Sequence, residues 1–394
     1  MNVGFVVSRF PTLSETFVVS QMAGLMKRGF KIGIICDKVV GYPYADKDEE
    51  PISTLIKNAR NWWGPVQKMQ PVIERLPNGA RDKISVSLDI AFSRKLKKFD
   101  VIIAHFGQSG ARIARVKKRR HIHAPLITIF HGYDVGMPLK KGRLNQYDDL
   151  FRRGDLCLTV NGYFREKLCE VGADPEKTDV HRMGVDISSI PYCRSERVSA
   201  PIKFISVCRL TEKKGVEYSL RAFALLEGEQ DWFYTIIGDG PLLPELTALA
   251  YKLGIAQKVT FLGSRPHGDV KEQLARADAF ILPSITAEDG DVEGIPVALM
   301  EAMAAGLTVI SSYHSGIPEL IENERTGLLA PEKDVYRLSQ HIRHVIDHPD
   351  HCDRMARAAR QTIERDFNNQ LLNDQLADRI KTLCGNGKVA EFDG

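Results

Sequence analysis

Residues 288–306, EDGDVEGIPVALMEAMAAG, decide how the rest of the chain is read. Between Glu293 and Glu319 the only formal charge is on Glu301. After Pro296 the residues are apolar on every side, and a helix without a polar face is a buried one. Pro296 suits its first turn, where a missing N–H is no loss. A carboxylate inside such a helix is costly unless it is paired or hydrogen-bonded. Upstream, Glu293, Gly294, Ile295 and Pro296 open the helix, where free backbone N–H groups and the positive dipole end favour an anion. The stretch therefore offers an anion cradle, a carboxylate at its mouth in Glu293, and a buried carboxylate two turns along in Glu301. A core helix with one internally paired glutamate fits the same residues.

Working outward, this helix is one of a series that alternates with strands. Strands are expected at residues 203–207, 233–237, 259–262, 279–282 and 308–311. Helices are expected at 214–226, 242–253, 270–276, 295–305, 317–322, 334–346 and 352–365. The first half repeats the pattern from a strand at 3–7. Thr12 and Glu15 then stand at capping-box spacing, Leu13, Phe17, Met22 and Leu25 follow at helical spacing, and Gly29 closes the helix. Further strands are read at 31–36, 100–105, 125–130 and 155–161, and helices at 83–98, 109–120 and 163–171. Residues 38–82 carry no clear period. Alternation of this kind predicts an α/β fold with two Rossmann-like, doubly wound domains. The expected division is residues 1–186, a polar, Pro-bearing linker at 187–201, and residues 202–366. The last segment, 367–394, is expected to form an amphipathic helix packing back toward the first domain, then a loose tail.

The composition sets bounds. The chain has 394 residues, 43% hydrophobic and 26% charged, enough for two cores and ordinary for a soluble protein. No apolar run reaches the roughly 18 residues that a spanning helix needs. The opening MNVGFVVSRFP lacks the layout of a signal peptide. Seven scattered cysteines without a CxxC pair suit a reducing cytosol, not a zinc site or a disulfide framework. Residues 1–186 hold 31 Lys and Arg against 20 Asp and Glu, giving +11, and the remainder holds 23 against 30, giving −7. A basic half joined to an acidic half suggests that the first half faces an anionic surface.

Most candidate residues follow strands, where open α/β sheets bind ligands. Arg209 and Lys214, in RLTEKKG, would suit a diphosphate, or they are two solvated charges around a tight turn. Gly238 and Gly240, in IIGDGP, would let a nucleoside approach the backbone, although such a turn is a weak signal by itself. His131 and His105 each end a strand, as a group that bonds a sugar hydroxyl or as plain turn histidines. Glu288, Asp289 and Asp291 form an acidic loop without regular metal-ligand spacing, so no metal is expected. Lys117-Lys118-Arg119-Arg120 is a solvated helix end that gains weight from the basic bias around it.

Taken together, RLTEKKG, IIGDGP, EGIPVALMEAMAAG and HSGIPELI resemble the retaining glycosyltransferase family four, with its two-Rossmann GT-B fold. Glu293 and Glu301, with seven residues between them, match that family's E-x7-E motif. FPTLSETFV, AHFG, FHGYD and LFRRGDL resemble bacterial galactosyltransferases of colanic-acid and amylovoran-type exopolysaccharide assembly. Many family members carry a Gly-Gly pair where this chain has Arg9-Phe10-Pro11-Thr12.

The resemblance implies that Arg209 and Lys214 hold the donor diphosphate, completed by the amides of Gly294, Ile295 and Val297 around Pro296. It implies that Glu301 holds the ribose, that Glu293 contacts the donor sugar, and that His131 lies beside the anomeric carbon. Backbone near Gly263 would hold the base. His105, Ser14 and Glu15 would face the acceptor. The implied activity is transfer of a hexose, most simply galactose from UDP-galactose, to a polyprenyl-diphosphate-linked oligosaccharide at the inner face of the cytoplasmic membrane. No cofactor, metal or nucleic-acid partner is expected. The alternatives are another donor (UDP-glucose, UDP-glucuronate or GDP-mannose), a GT-B epimerase or phosphorylase, or a catalytically silent GT-B scaffold that binds nucleotide sugar or polysaccharide.

Overall fold

The computed structural model describes residues 1–12, 16–40, 50–120, 122–193, 201–226 and 232–389. The chain divides into two compact units, Met1–Arg182 with Asn369–Gly394, and Met183–Asn368. Each is built on one parallel sheet. In the first, the strands are β1 (Asn2–Phe10), β2 (Lys31–Val39), β3 (Ala59–Asn61), β4 (Val101–His105), β5 (Leu126–Phe130), β6 (Leu156–Thr159) and β7 (Thr178–Val180), in the order β3-β2-β1-β4-β5-β6-β7. In the second they are β8 (Ile202–Val207), β9 (Trp232–Ile237), β10 (Val259–Gly263), β11 (Ala279–Ile281), β12 (Thr308–Ser312) and β13 (Leu328–Ala330), in the order β10-β9-β8-β11-β12-β13.

The strands form here because their residues are branched and apolar without alternation, as strands covered on both faces require. β4, VIIAH, and β5, LITIF, are buried at each position. In both sheets the strand order reverses beside the first strand, between β1 and β4 and between β8 and β11. A doubly wound sheet opens a crevice at the carboxyl ends of those strands. The α/β class and the doubly wound sheets expected from the alternation are what the chain adopts.

The differences are local. Within residues 38–82 lie a helix at Glu50–Asn58, the three-residue β3, a 3-10 turn at Gly64–Met69 and a helix at Gln70–Glu74. Elements this short leave no period to read. The helix expected at 83–98 is a helix at Asn78–Phe92 continued by a 3-10 segment, Ser93–Lys98. The segment expected as a linker starts inside the second unit, where the Val185 N–H donates to Phe367 O (2.9 Å) and the Cys193 N–H to Ala305 O (3.0 Å). Residues 194–200 lie outside the described ones.

The last helix, Asn369–Val389, belongs to the first unit and packs on the helix Thr16–Lys27. Arg28 Nε donates to Asp374 Oδ1 at 2.6 Å, and a Cβ at Gly24 would meet Asn373 at 2.2 Å, so glycine sets how closely the two helices approach. The glycines after β9 have the same kind of cause. Gly238 has φ +135° and lies where a Cβ would be 1.8 Å from Cys208 O, and a Cβ at Gly240 would be 2.4 Å from Leu210 O. These residues are small because the loop after β8 passes against them. This packing accounts for glycine at both positions without a ligand.

Candidate active site

In the second unit, the loop after β8 and the loop after β11 meet at the switch point. Gly215 (φ +66°) ends the 3-10 turn Glu212–Lys214 and starts the helix Val216–Ala224. A Cβ there would lie 2.0 Å from Pro283 O, so only glycine lets the two loops approach this closely. The Ile285 N–H donates to Lys213 O at 2.9 Å and ties them together.

Across this seam lies a cluster of four charges. Lys214 Nζ is 2.7 Å from Glu293 Oε2, and Lys213 Nζ is 3.0 Å from Glu293 Oε1. Lys213 Nζ is also 3.0 Å from Asp291 Oδ2. The Glu293 side chain is only 9% exposed. Burial by itself would raise its pKa, but the ammonium groups of Lys214 and Lys213 outweigh that and bring it down to about 2. The Glu293 N–H donates to His314 Nε2 at 3.0 Å, and His314 Nδ1 lies 2.6 Å from Glu332 Oε1. A ring nitrogen that accepts from an amide carries no proton, so His314 bears its proton on Nδ1 and donates it to Glu332. Glu332 in turn accepts from the Thr286 N–H at 2.9 Å.

Glu301 is held differently. It lies on the helix Val297–Ala305, whose residues Leu299, Met300, Ala302, Met303, Ala304 and Ala305 are buried. Its side chain is 15% exposed, and it has no lysine or arginine ion pair among the described residues, only His267 Nε2 at 3.8 Å. Burial raises its pKa to about 7, opposed only weakly by Lys271. The expected roles of depth are therefore reversed: Glu293 is the more enclosed, paired carboxylate and Glu301 the less enclosed one, because Lys213 and Lys214 of the loop after β8 pack on Glu293. Pro296 precedes the first turn as its N-cap. Among the described residues, the amides of Gly294, Ile295 and Val297 make no backbone hydrogen bond. They are the free donors expected of an anion cradle. Arg209 is exposed and has no side-chain partner among the described residues. Gly263 has φ +68° with nothing within 4 Å of a Cβ, so space is open at that loop.

The first unit carries its own polar cluster at the ends of β4 and β5. His105 Nδ1 lies 2.9 Å from His131 Nε2, with ring centroids 5.1 Å apart and planes 17° from parallel. Those values describe two rings edge to edge in one plane, joined by a hydrogen bond. His105 is fully buried and its Nε2 has no partner among the described residues. An orphaned buried N–H is rarer than an orphaned acceptor. This assigns the proton to His105 Nδ1, donating to His131, and leaves His131 with its N–H on Nδ1. Burial lowers His105 to about 3, helped by His181, and lowers His131 well below its usual range, helped by His105 and His181. Both rings are thus neutral at pH 7.

Asp134, fully buried, fixes the turn after β5 by accepting from the N–H of His131 (3.0 Å), Gly132 (2.9 Å) and Gly107 (2.8 Å). Asp134 was not singled out from sequence. Its position three residues after His131, in FHGYD, is the signal for such a side-chain turn. Full burial removes His105 from any acceptor contact, against expectation. Its Nδ1 is bonded to His131 instead. The other acceptor candidates, Ser14 and Glu15, lie outside the described residues.

The basic residues of the first unit are not all available at the surface. Arg112 is paired with Asp37 (2.6 Å) and Asp89 (2.5 Å) and stacks on Trp62 at 4.6 Å, and Lys117 is paired with Asp155 at 2.7 Å. Lys95 Nζ donates to Asn61 O at 2.9 Å. Arg94, Lys97, Lys98, Arg115, Lys118 and Arg119 remain exposed.

Comparison with known proteins gives these two parallel, doubly wound units and the lysine–glutamate cluster a family. The family model for glycosyltransferase family 4 matches residues 14–189, and that for glycosyl transferases group 1 matches residues 194–362. The chain is 35% identical to the putative colanic acid biosynthesis glycosyltransferase WcaL of Escherichia coli (strain K12), over 97% of this chain and 100% of that one. It is 32% identical to the amylovoran biosynthesis glycosyltransferase AmsK of Erwinia amylovora, over 98% of this chain and 100% of that one. The chain belongs to this glycosyltransferase family. Its fold matches the Anabaena protein HepE in complex with UDP and glucose, with a TM-score of 0.74 and 19% identity over 97% of this chain and 100% of that one. It also matches the apo form of the lipopolysaccharide outer core galactosyltransferase WaaB, with a TM-score of 0.72 and 21% identity over 97% of this chain and 99% of that one. The GT-B fold is thereby established.

The raised pKa of Glu301 has a consequence for stability. A folded pKa of about 7, against 4.5 for the unstructured side chain, means that the folded state holds this proton more tightly. Between those two values the unfolded chain binds fewer protons, so this group lowers stability as pH rises through the window. Glu301→Gln should therefore unfold at higher denaturant than wild type at pH 8, by on the order of 3 kcal/mol, with the difference vanishing near pH 4. Urea titrations at the two pH values check it.

Proposed function

We propose that the chain is a retaining glycosyltransferase that moves a hexose, galactose from UDP-galactose, onto a polyprenyl-diphosphate-linked oligosaccharide during exopolysaccharide assembly. The observation that carries this reading is the Lys214–Glu293 pair beside the free amides of Gly294, Ile295 and Val297. A leaving diphosphate needs cations and amide donors already aimed at it, and this corner of the switch point supplies both. The names of the full-length relatives, colanic acid and amylovoran glycosyltransferases, support the exopolysaccharide context.

In this reading Lys214 leaves Glu293 for the donor diphosphate, joined by Arg209 from solvent. Glu293 then faces the transferred sugar, and Glu301 accepts from the ribose hydroxyls. The bond from the anomeric carbon to the phosphate oxygen breaks, and a bond from that carbon to the acceptor oxygen forms on the same face. The acceptor proton passes to the departing phosphate oxygen, giving UDP. His131, neutral with its N–H on Nδ1, serves as a hydrogen-bond donor to the sugar and not as a base. No metal step is required, since lysine, arginine and helix amides already oppose the charge.

Release of UDP from UDP-galactose should depend on added lipid-linked acceptor and should survive EDTA. Lys214→Ala should lower kcat/KM on the order of 10²-fold. Near-normal turnover in folded Lys214→Ala would overturn the diphosphate assignment. Release of UDP without acceptor, or none from any UDP- or GDP-sugar, would overturn the transferase reading.

The acceptor places the reaction at a membrane, yet no helix among the described residues is long and apolar enough to cross one. The exposed cations Arg94, Lys97, Lys98, Arg115, Lys118 and Arg119 fit attachment to anionic headgroups, at roughly 1 kcal/mol for each well-placed contact. Co-sedimentation with anionic liposomes should weaken as salt rises. It should fall in a variant with Lys97, Lys98, Lys118 and Arg119 changed to serine. Equal binding to neutral liposomes would contradict the attachment.

A further inference from the structure

The two lysines on Glu293 are not equivalent. Among the described residues, Lys214 has one carboxylate partner, Glu293, at 2.7 Å. Lys213 has two, Glu293 at 3.0 Å and Asp291 at 3.0 Å, and its carbonyl is bonded by the Ile285 N–H at 2.9 Å. An arriving diphosphate competes with a single carboxylate for Lys214, but with two carboxylates and a fixed backbone for Lys213. Lys214 is therefore the cation free to leave. Its departure would strip Glu293 of one counterion in a place where the side chain is 9% exposed. A carboxylate so enclosed does not stay charged without a partner, and takes up a proton instead.

We infer that Lys213 is a positioning residue that keeps the Glu293 carboxylate in place while Lys214 turns to the donor diphosphate. The inference rests on the proposed donor site and deepens it. Lys213 touches neither phosphate nor sugar and acts through Glu293, while Asp291 anchors it against following the phosphate. In RLTEKKG the sequence shows two adjacent lysines. Only the geometry separates a mobile cation from a retained one.

The experiment uses the full chain and UDP as the probe. Calorimetry in buffers of different ionisation enthalpy, near pH 5.5, reads both the affinity and the protons taken up on binding. Lys213→Met should bind UDP about tenfold more weakly than wild type and take up an additional fraction of a proton, because Glu293 is left with no ammonium group. Lys213→Gln, which keeps a hydrogen-bond donor but no charge, should show the same extra proton uptake. Lys213→Arg should restore the wild-type count. A loss of packing alone would weaken binding without changing the proton count. Equal affinity and equal proton uptake in wild type and both neutral variants, while Lys214→Ala still weakens UDP, would overturn the role of Lys213 and leave the donor site standing. Unchanged UDP affinity in Lys214→Ala would instead remove the donor site, and the inference with it.

Discussion

A buried carboxylate held by two ammonium groups is the constraint on which the second unit depends. Glu293 cannot be sealed under the loop after β8 unless that loop brings cations with it, and Lys213 and Lys214 are the cations it brings. Breaking such a pair from one side typically costs about 3–5 kcal/mol, because the remaining charge stays buried alone. Gly215 exists to allow the approach, with Pro283 O where its Cβ would be. His314 and Glu332 hold the backbone of Glu293 from the other side. The same contacts that hold the free protein together thus place a cation, a carboxylate and unpaired amides at one point. The backbone of the site is thus fixed in advance, and the reorganisation left to a ligand is the exchange of Lys214 from Glu293.

The first unit solves a similar problem with neutral groups. Its sheet has the same reversal beside the first strand, and the histidines ending β4 and β5 stand at the corresponding crevice. Here burial is met by hydrogen bonds and not by ion pairs. Asp134 gathers three amides, and His105 gives its proton to His131. Both imidazoles are kept uncharged, so His131 offers a hydrogen-bond donor whose state does not change across the physiological range. One unit therefore presents charge and the other a fixed neutral dipole.

Much of this was legible in the sequence. Long apolar runs separated by helical periods announce both parallel sheets, and the spacing of Glu293 and Glu301 is plain in the linear chain. What could not be read is depth. The apolar helix after Pro296 implies that Glu301 lies deep, but nothing in one sequence says that the loop carrying Lys213 and Lys214 folds over the helix mouth and seals Glu293. Lys213 was passed over for the same reason. A strand-ending histidine such as His105 is equally suited to a ligand and to a neighbouring ring, and only the structure shows its bond to His131. Gly238 and Gly240 suit a ligand in the linear sequence, which gives no sign of the close backbone of Cys208 and Leu210. The edge strands β3, β7 and β13, of three residues each, carry no pattern, and they form because a neighbouring strand offers its edge.

The central claim is that Glu293 is an ionised carboxylate whose counterions are shared with the donor. Its side-chain carbon, assigned by comparison with Glu293→Gln, can be followed by 13C NMR through an acid titration of the free protein and again with UDP bound. Its pKa should lie near 2 in the free protein, so that its signal stays constant from neutral pH to below pH 4, and adding UDP should shift it. A midpoint at the ordinary glutamate value of about 4.3, with no response to UDP, would contradict the account.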